Sequence, residues 1–263
     1  MALHIDLAWL ASVLLLAARV AGATVLIPIF GPVEVPGSVR VILAVAIAAT
    51  LVSGLAGLST AAAVASLAST PTLAIAMLSE VVIGATFAFG FLAAYAATQV
   101  AGRVLDIQMG FSAASVFNPS LRTLAPLMGS ILGMLGIVLF LSLDGHHLLL
   151  RALAESARST PPGTAFASGE FGWDALIAQS GVMFVFGLTL ASPVMFSLLL
   201  ADVAIAFFAR SVPQLNPFVL GFAIKILLGL VGLAAAVRLG GAVFERLFAT
   251  TFRYWEQLAP VAR

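Results

Sequence analysis

Residues Val41 to Ser79 read VILAVAIAATLVSGLAGLSTAAAVASLASTPTLAIAMLS and carry no formal charge. A helix crosses the hydrocarbon layer with roughly 20 mostly apolar residues, so this run is longer than a buried core helix of a soluble domain needs. Val81–Gly102, Thr123–Leu143 and Ala175–Ala201 are likewise uncharged. Hydrophobic residues make up 62% of the 263 and charged residues 9%, against about 25% charged in an ordinary soluble domain. Mean hydropathy is +1.16. Water cannot be the main solvent of such a chain.

The runs are continuous, whereas membrane β-barrels alternate apolar and polar residues over strands of about 10. The pattern predicts an all-α, polytopic helical membrane protein with about six hydrophobic segments. They are Leu7–Ile29, Val39–Leu58, Thr72–Val100, Leu124–Leu143 continuing toward Arg151, Leu176–Phe208 and Pro217–Val237. Pro28, Gly31, Pro32 and Pro36 end the first. Ala101–Arg122 reads as a loop or broken helix, and Ser159–Gly172, with Thr160-Pro161-Pro162-Gly163-Thr164, as the clearest exposed loop. The N-terminus lacks a basic cluster and an A-x-A site before a polar domain, so it reads as a retained first helix. The whole chain, 1–263, is expected to be one domain, with an amphipathic basic tail over 239–263. With six spans, Arg151, Arg158, Arg238, Arg246, Arg253 and Arg263 share the side of the tail and Arg40, Arg103, Arg122 and Arg210 the other, which favours a cytoplasmic tail.

Several function classes are disfavoured. There is no cysteine for a disulfide or thiolate metal site, and a net charge of +1 argues against a large nucleic-acid surface. G-x-S-x-G, P-loop and Rossmann signatures are absent, and all three histidines lie near span ends, so no enzyme and no cofactor is expected. Asp144-Gly145-His146-His147 reads as a helix-end cap and not a metal site, because helical ligand pairs take spacings of three or four, as in H-E-x-x-H. No internal repeat points to a stand-alone inverted-repeat transporter, the rival class.

Arg19, Glu80, Asp202 and Lys225 lie inside hydrophobic segments. Each costs about 2.5–3.5 kcal/mol on insertion scales, so each needs a partner or water. If the turn between the last two segments centres near Pro213, Asp202 and Lys225 stand at similar depth on antiparallel helices. That turn contains Pro213, Gln214, Leu215, Asn216 and Pro217 and reads as a rigid corner, with Asn216 as N-cap and Pro217 as first helical residue. Asp106–Pro119 is too interrupted for another span yet carries a single charge. Irregular backbone at membrane depth survives only where protein buries it or it borders a water-filled cavity. The segment therefore reads as a buried re-entrant or gating element.

Taken in order, Arg19-Val20 with Gly22, Pro28, Val35-Pro36, Arg40, Gln108-Met109-Gly110, Phe117-Asn118-Pro119, Leu143-Asp144-Gly145-His146, Ala201-Asp202, Pro213-Gln214-Leu215-Asn216, Phe218 and Lys225 closely resemble the FliR family of flagellar export-gate proteins. SctT of virulence injectisomes is a relative of that family. The resemblance implies a non-enzymatic subunit that assembles with FliP-like and FliQ-like subunits into a channel for unfolded export substrates. It further implies a place in the flagellar basal body at the bacterial inner membrane, alongside FlhB-like and FlhA-like export components. An injectisome subunit is the alternative. By the same resemblance Gln108, Met109, Gly110, Phe111, Ser112, Phe117, Asn118 and Pro119 belong to a plug loop of the closed channel. Gln108-Met109-Gly110 is closer to the flagellar branch, and Asn118 stands where flagellar relatives often carry Asp.

Overall fold

Long apolar runs punctuated by proline and glycine become helices whose ends fall at the punctuation. The computed structural model describes residues 6–27, 35–55, 57–58, 60–111, 126–164, 173–211, 217–239 and 241–258. Among them the elements are all helical: α1 Leu7–Val25, α2 Gly37–Gly54, α3 Ala61–Ser66, α4 Thr70–Gln108, α5 Leu127–Ser142, α6 Gly145–Ser159, α7 Trp173–Ser211, α8 Pro217–Leu239 and α9 Gly241–Leu258. Helices α1, α2, α4 and α7 are long and apolar enough to cross a membrane. The α5–α6 pair makes a fifth if its bend counts within one span, and α8 holds a shorter apolar stretch, Gly221–Ala235. The protein is a polytopic helical membrane protein.

One boundary differs from expectation. Ala101–Gln108 continue α4 and are not a loop. The reason is a stripe spaced by four, Ala97, Ala101, Leu105 and Met109, each at most 1% exposed. A helix puts such positions on one face, and that face prevails over the interruption by Arg103 and Asp106. The fourth segment also differs, being broken at Leu143-Asp144 into α5 and α6.

The helices form two compact units, one of residues 1–92, 141–179 and 251–263, the other of 93–140 and 180–250. In the first, Asp6 caps α1, its carboxylate accepting from Ala8 N–H at 2.9 Å. One stripe of α1, Val13, Leu16, Ala17 and Val20, packs with Ala44, Ala48 and Val52 of α2. Another, Ala11 and Leu15, packs with Ala63 of α3 and Ala76 of α4. Helices α1 and α4 approach through glycine, since a Cβ on Gly84 would overlap the Arg19 carbonyl and one on Gly22 would meet the Val81 carbonyl at 2.5 Å. The end of α9 is docked in the same unit. Trp255 Nε1 and Tyr254 OH each donate at 2.8 Å to the Phe87 and Thr86 carbonyls of α4. Burial raises the Tyr254 pKa, so its hydroxyl keeps its proton and remains a donor.

In the second unit, Gly129, Gly133 and Gly136 of α5 face the last turns of α4. A Cβ on Gly102 would overlap Gly129 itself, and Gly133 and Gly136 leave room for Tyr95, Thr98 and Gln99. This is the small-xxx-small packing of membrane helices. Helix α7 carries Pro193 internally, which leaves the Thr189 carbonyl without its usual N–H donor. The Ser192 hydroxyl donates to that carbonyl at 2.9 Å, so the helix continues.

Gly84→Ala should destabilise the detergent-solubilised protein by about 1–3 kcal/mol, because the clash is with backbone that cannot rotate away. Gly54→Ala, where a Cβ meets nothing within 4 Å, is the control and should leave the melting temperature unchanged or slightly raised. Equal melting temperatures for the two variants would refute the close α1–α4 crossing.

Candidate functional site

An arginine inside an apolar helix must find several acceptors, because a guanidinium presents five N–H donors. Arg19 of α1 and Glu80 of α4 are both 0% exposed, and Arg19 Nε donates to Glu80 Oε2 at 2.6 Å. The rest of the guanidinium reaches α6 and the turn after it. Nη1 donates to Ser156 Oγ at 3.0 Å and Nη2 to the Thr160 carbonyl at 2.9 Å. Glu80 Oε1 in turn accepts from Gly163 N–H at 3.0 Å. Gly163 has φ of +86°, and a Cβ there would meet Ala62 backbone at 3.1 Å, so both conformation and space require glycine.

This geometry corrects the reading of Ser159–Gly172 as the clearest exposed loop over Thr160–Thr164, residues 165–172 lying outside the described residues. Thr160, Pro161, Gly163 and Thr164 are half-buried and Pro162 is buried. The Thr60 hydroxyl, which accepts from Ala63 N–H to cap α3, donates to the Pro162 carbonyl at 3.0 Å. Turn chemistry identified the bend correctly. The missing signal was the demand of two buried charges for backbone partners.

Asp202 of α7 and Lys225 of α8 also meet, Nζ standing 2.5 Å from Oδ1 with the side chains 23% (Lys225) and 40% (Asp202) exposed. Helix α8 begins at Pro217. The corner residues Pro213, Gln214 and Asn216 lie outside the described residues.

The end of α4 carries the described part of the expected plug segment. Gly110 has φ of +84°, its N–H donates to the Ile107 carbonyl and Phe111 N–H donates to the Asp106 carbonyl at 3.0 Å. Those two bonds are the Schellman ending of a helix, with glycine at the left-handed position. Gln108 and Phe111 are half-buried, and Met109 is fully buried against Gly229 of α8, with Gly110 beside the Phe222 ring. Ser112, Phe117, Asn118 and Pro119 lie outside the described residues.

Asp106 is the residue that the sequence reading passed over. It is 5% exposed, and Oδ1 accepts from Met128 N–H at 3.1 Å, so a carboxylate on α4 caps the start of α5. The signal available was that Leu124-Ala125-Pro126 offers α5 no capping side chain of its own. Gln99 Nε2 adds a bond to the Gly129 carbonyl at 3.1 Å.

Removing one partner of a buried ion pair leaves an uncompensated charge and costs about 3–5 kcal/mol. Arg19→Met and Glu80→Gln should each lower folded yield severely, and the double variant should recover much of the loss. Asp202→Asn and Lys225→Met should couple in the same sense by about 1 kcal/mol or less, since water screens that pair. Additive losses in melting temperature or yield for Arg19 and Glu80 would refute the coupling.

Comparison with known proteins places this geometry. The family described as "Bacterial export proteins, family 1" matches residues 10–251. The flagellar biosynthetic protein FliR of Bacillus subtilis (strain 168) is 34% identical over 165 residues, 62% of this chain and 64% of that protein. FliR of Escherichia coli (strain K12) is 32% identical over 174 residues, 66% of each chain. The secretion system apparatus protein SsaT of Salmonella typhimurium is 29% identical over 156 residues, 59% of this chain and 60% of that protein. The chain thus spans just under two thirds of these relatives' lengths. The match over 10–251 encloses both ion pairs and the α4 ending, and the chain belongs to the bacterial export proteins, family 1.

Proposed function

We propose that the protein is a non-enzymatic core subunit of the flagellar type III protein-export gate. The observation that carries this reading is the family match over residues 10–251. The flagellar relatives at 34% and 32% identity favour the flagellar system over the injectisome, whose relative SsaT stands at 29%. In this reading the whole chain, 1–263, acts as one export-gate domain with 239–263 as its tail. It assembles with FliP-like and FliQ-like subunits, and with FlhB-like and FlhA-like components, at the inner membrane of the basal body. Unfolded flagellar substrates pass through the channel they form.

Exposed apolar side chains support assembly or lipid contact. Helix α2 leaves Val41 and Ile42 61% and 67% exposed, and α7 leaves Ile177, Val185 and Phe207 at 70%, 62% and 64%. The segment from Gln108 to Asn118 serves as the closed-state plug. Its support is the clamp at its base, where Gly110 stops α4 and Asp106 caps α5. A narrow apolar constriction resists wetting and so limits ion leakage while no substrate is present.

Two measurements test this. A clean deletion in the host should abolish export of filament subunits while their synthesis continues, and normal secretion by that strain would overturn the assignment. Removing Ser112–Ser115, which spares the Gly110 cap, should leave assembly intact and raise resting conductance or solute-induced growth arrest. A variant that assembles normally and stays as tight as the parent would make the loop a connector.

A further inference from the structure

Asp144 heads α6 in an unusual conformation. Its φ of 54° makes it the one non-glycine residue with positive φ among those described, and L-residues enter that region at a cost. A side chain there would ordinarily cap the helix, yet the carboxylate makes no capping bond. The reading of Asp144 as a helix-end cap is corrected on that point. Its Oδ1 instead lies 3.3 Å from His147 Nδ1.

The two histidines are adjacent in sequence, and successive helical residues point about 100° apart. At this first turn their rings nonetheless stand 4.1 Å apart between centroids. Asp144 and His147, three apart, have the very spacing that helical ligand pairs use. One donor atom from each of Asp144, His146 and His147 lies within 4.8 Å of the others. A second observation points the same way, for His146 Nδ1 is buried and has no hydrogen-bond partner among the described residues. A buried imidazole nitrogen without a hydrogen bond calls for a partner.

We infer that Asp144, His146 and His147 form a site for a divalent transition-metal ion. Two imidazoles and a carboxylate suit zinc, cobalt or nickel and not magnesium or calcium, which prefer oxygen. Three protein ligands leave the remaining coordination to water. Ligands about 2 Å from the ion stand closer together than 4.8 Å. The Asp144 and His147 side chains, 73% and 69% exposed, are free to close in. The positive end of the α6 dipole opposes a cation, and the Asp144 carboxylate at the same end offsets it. A bound ion would tie the left-handed residue to the first turn of α6.

The test uses the full chain in detergent without a polyhistidine tag, titrated with cobalt(II) and with zinc(II). The expected result is one cobalt per chain, with visible ligand-field absorption displaced by zinc and a zinc-dependent rise in melting temperature. His147→Ala changes an exposed side chain and Asp144→Gly suits the left-handed backbone, so both should fold, and each should weaken binding by about tenfold or more. His146→Gln provides the third variant. No saturable binding tighter than ~100 µM would overturn the site, because ligation would then add little at ordinary metal concentrations. Equal binding by parent and variants would overturn it too, by placing the metal elsewhere.

Discussion

The Arg19–Glu80 pair is the constraint on which its unit depends. An ion pair at 0% exposure gains its Coulomb attraction only after both groups have lost water, and that exchange breaks even only when every remaining donor and acceptor is used. Here α1 supplies the cation and α4 the anion, α6 supplies Ser156, and the turn after α6 supplies the Thr160 carbonyl and the Gly163 N–H. Elements separated by up to 141 residues in sequence must therefore arrive together. Apolar packing alone would let α1 slide or rotate against α4 at little cost, because membrane helices lack a strong hydrophobic force between them. Directional bonds remove that freedom.

Glycine makes the pair reachable. A side chain at Gly84 would displace α1 from the Arg19 backbone, and one at Gly22 would do the same from the other helix. The ion pair and the close crossing belong together, since helices held further apart would leave the carboxylate short of the guanidinium. The second unit uses the same small-residue device. Gly102 and Gly129 bring α4 against α5, and Asp106 then reaches the α5 N-terminus.

Hydropathy alone revealed the helices and the membrane, and depth-matching on either side of Pro213 anticipated that Asp202 and Lys225 meet. Other features were not legible for physical reasons. Arg103 and Asp106 made the end of α4 look like a loop, although the stripe from Ala97 to Met109 was written in the sequence at spacing four. The Thr-Pro-Pro-Gly turn carries ordinary turn chemistry, and local chemistry says nothing about whether a turn faces water or two buried charges. Adjacent histidines were judged by mid-helix geometry, but they follow a left-handed residue that resets the first turn.

An apolar exterior leaves polar side chains few outlets, and the hydroxyls show how this chain resolves that. Thr24, Thr86, Thr98, Thr189 and Ser197 donate to carbonyls three or four residues earlier on their own helices, and need no partner elsewhere. Such bonds satisfy the hydroxyl but impose no tertiary direction. Side chains that bond across helices, among them Arg19, Gln99, Asp106, Gln179, Tyr254 and Trp255, therefore carry the specificity of packing. Arg19, Gln179, Tyr254 and Trp255 act on α4, and Gln99 and Asp106 act from it, so this one helix is the reference against which its neighbours in each unit are set. A change in how α4 ends at Gly110 would then be felt at the α5 start through Asp106 and at α8 through the contacts of Met109 with Gly229 and of Gly110 with Phe222.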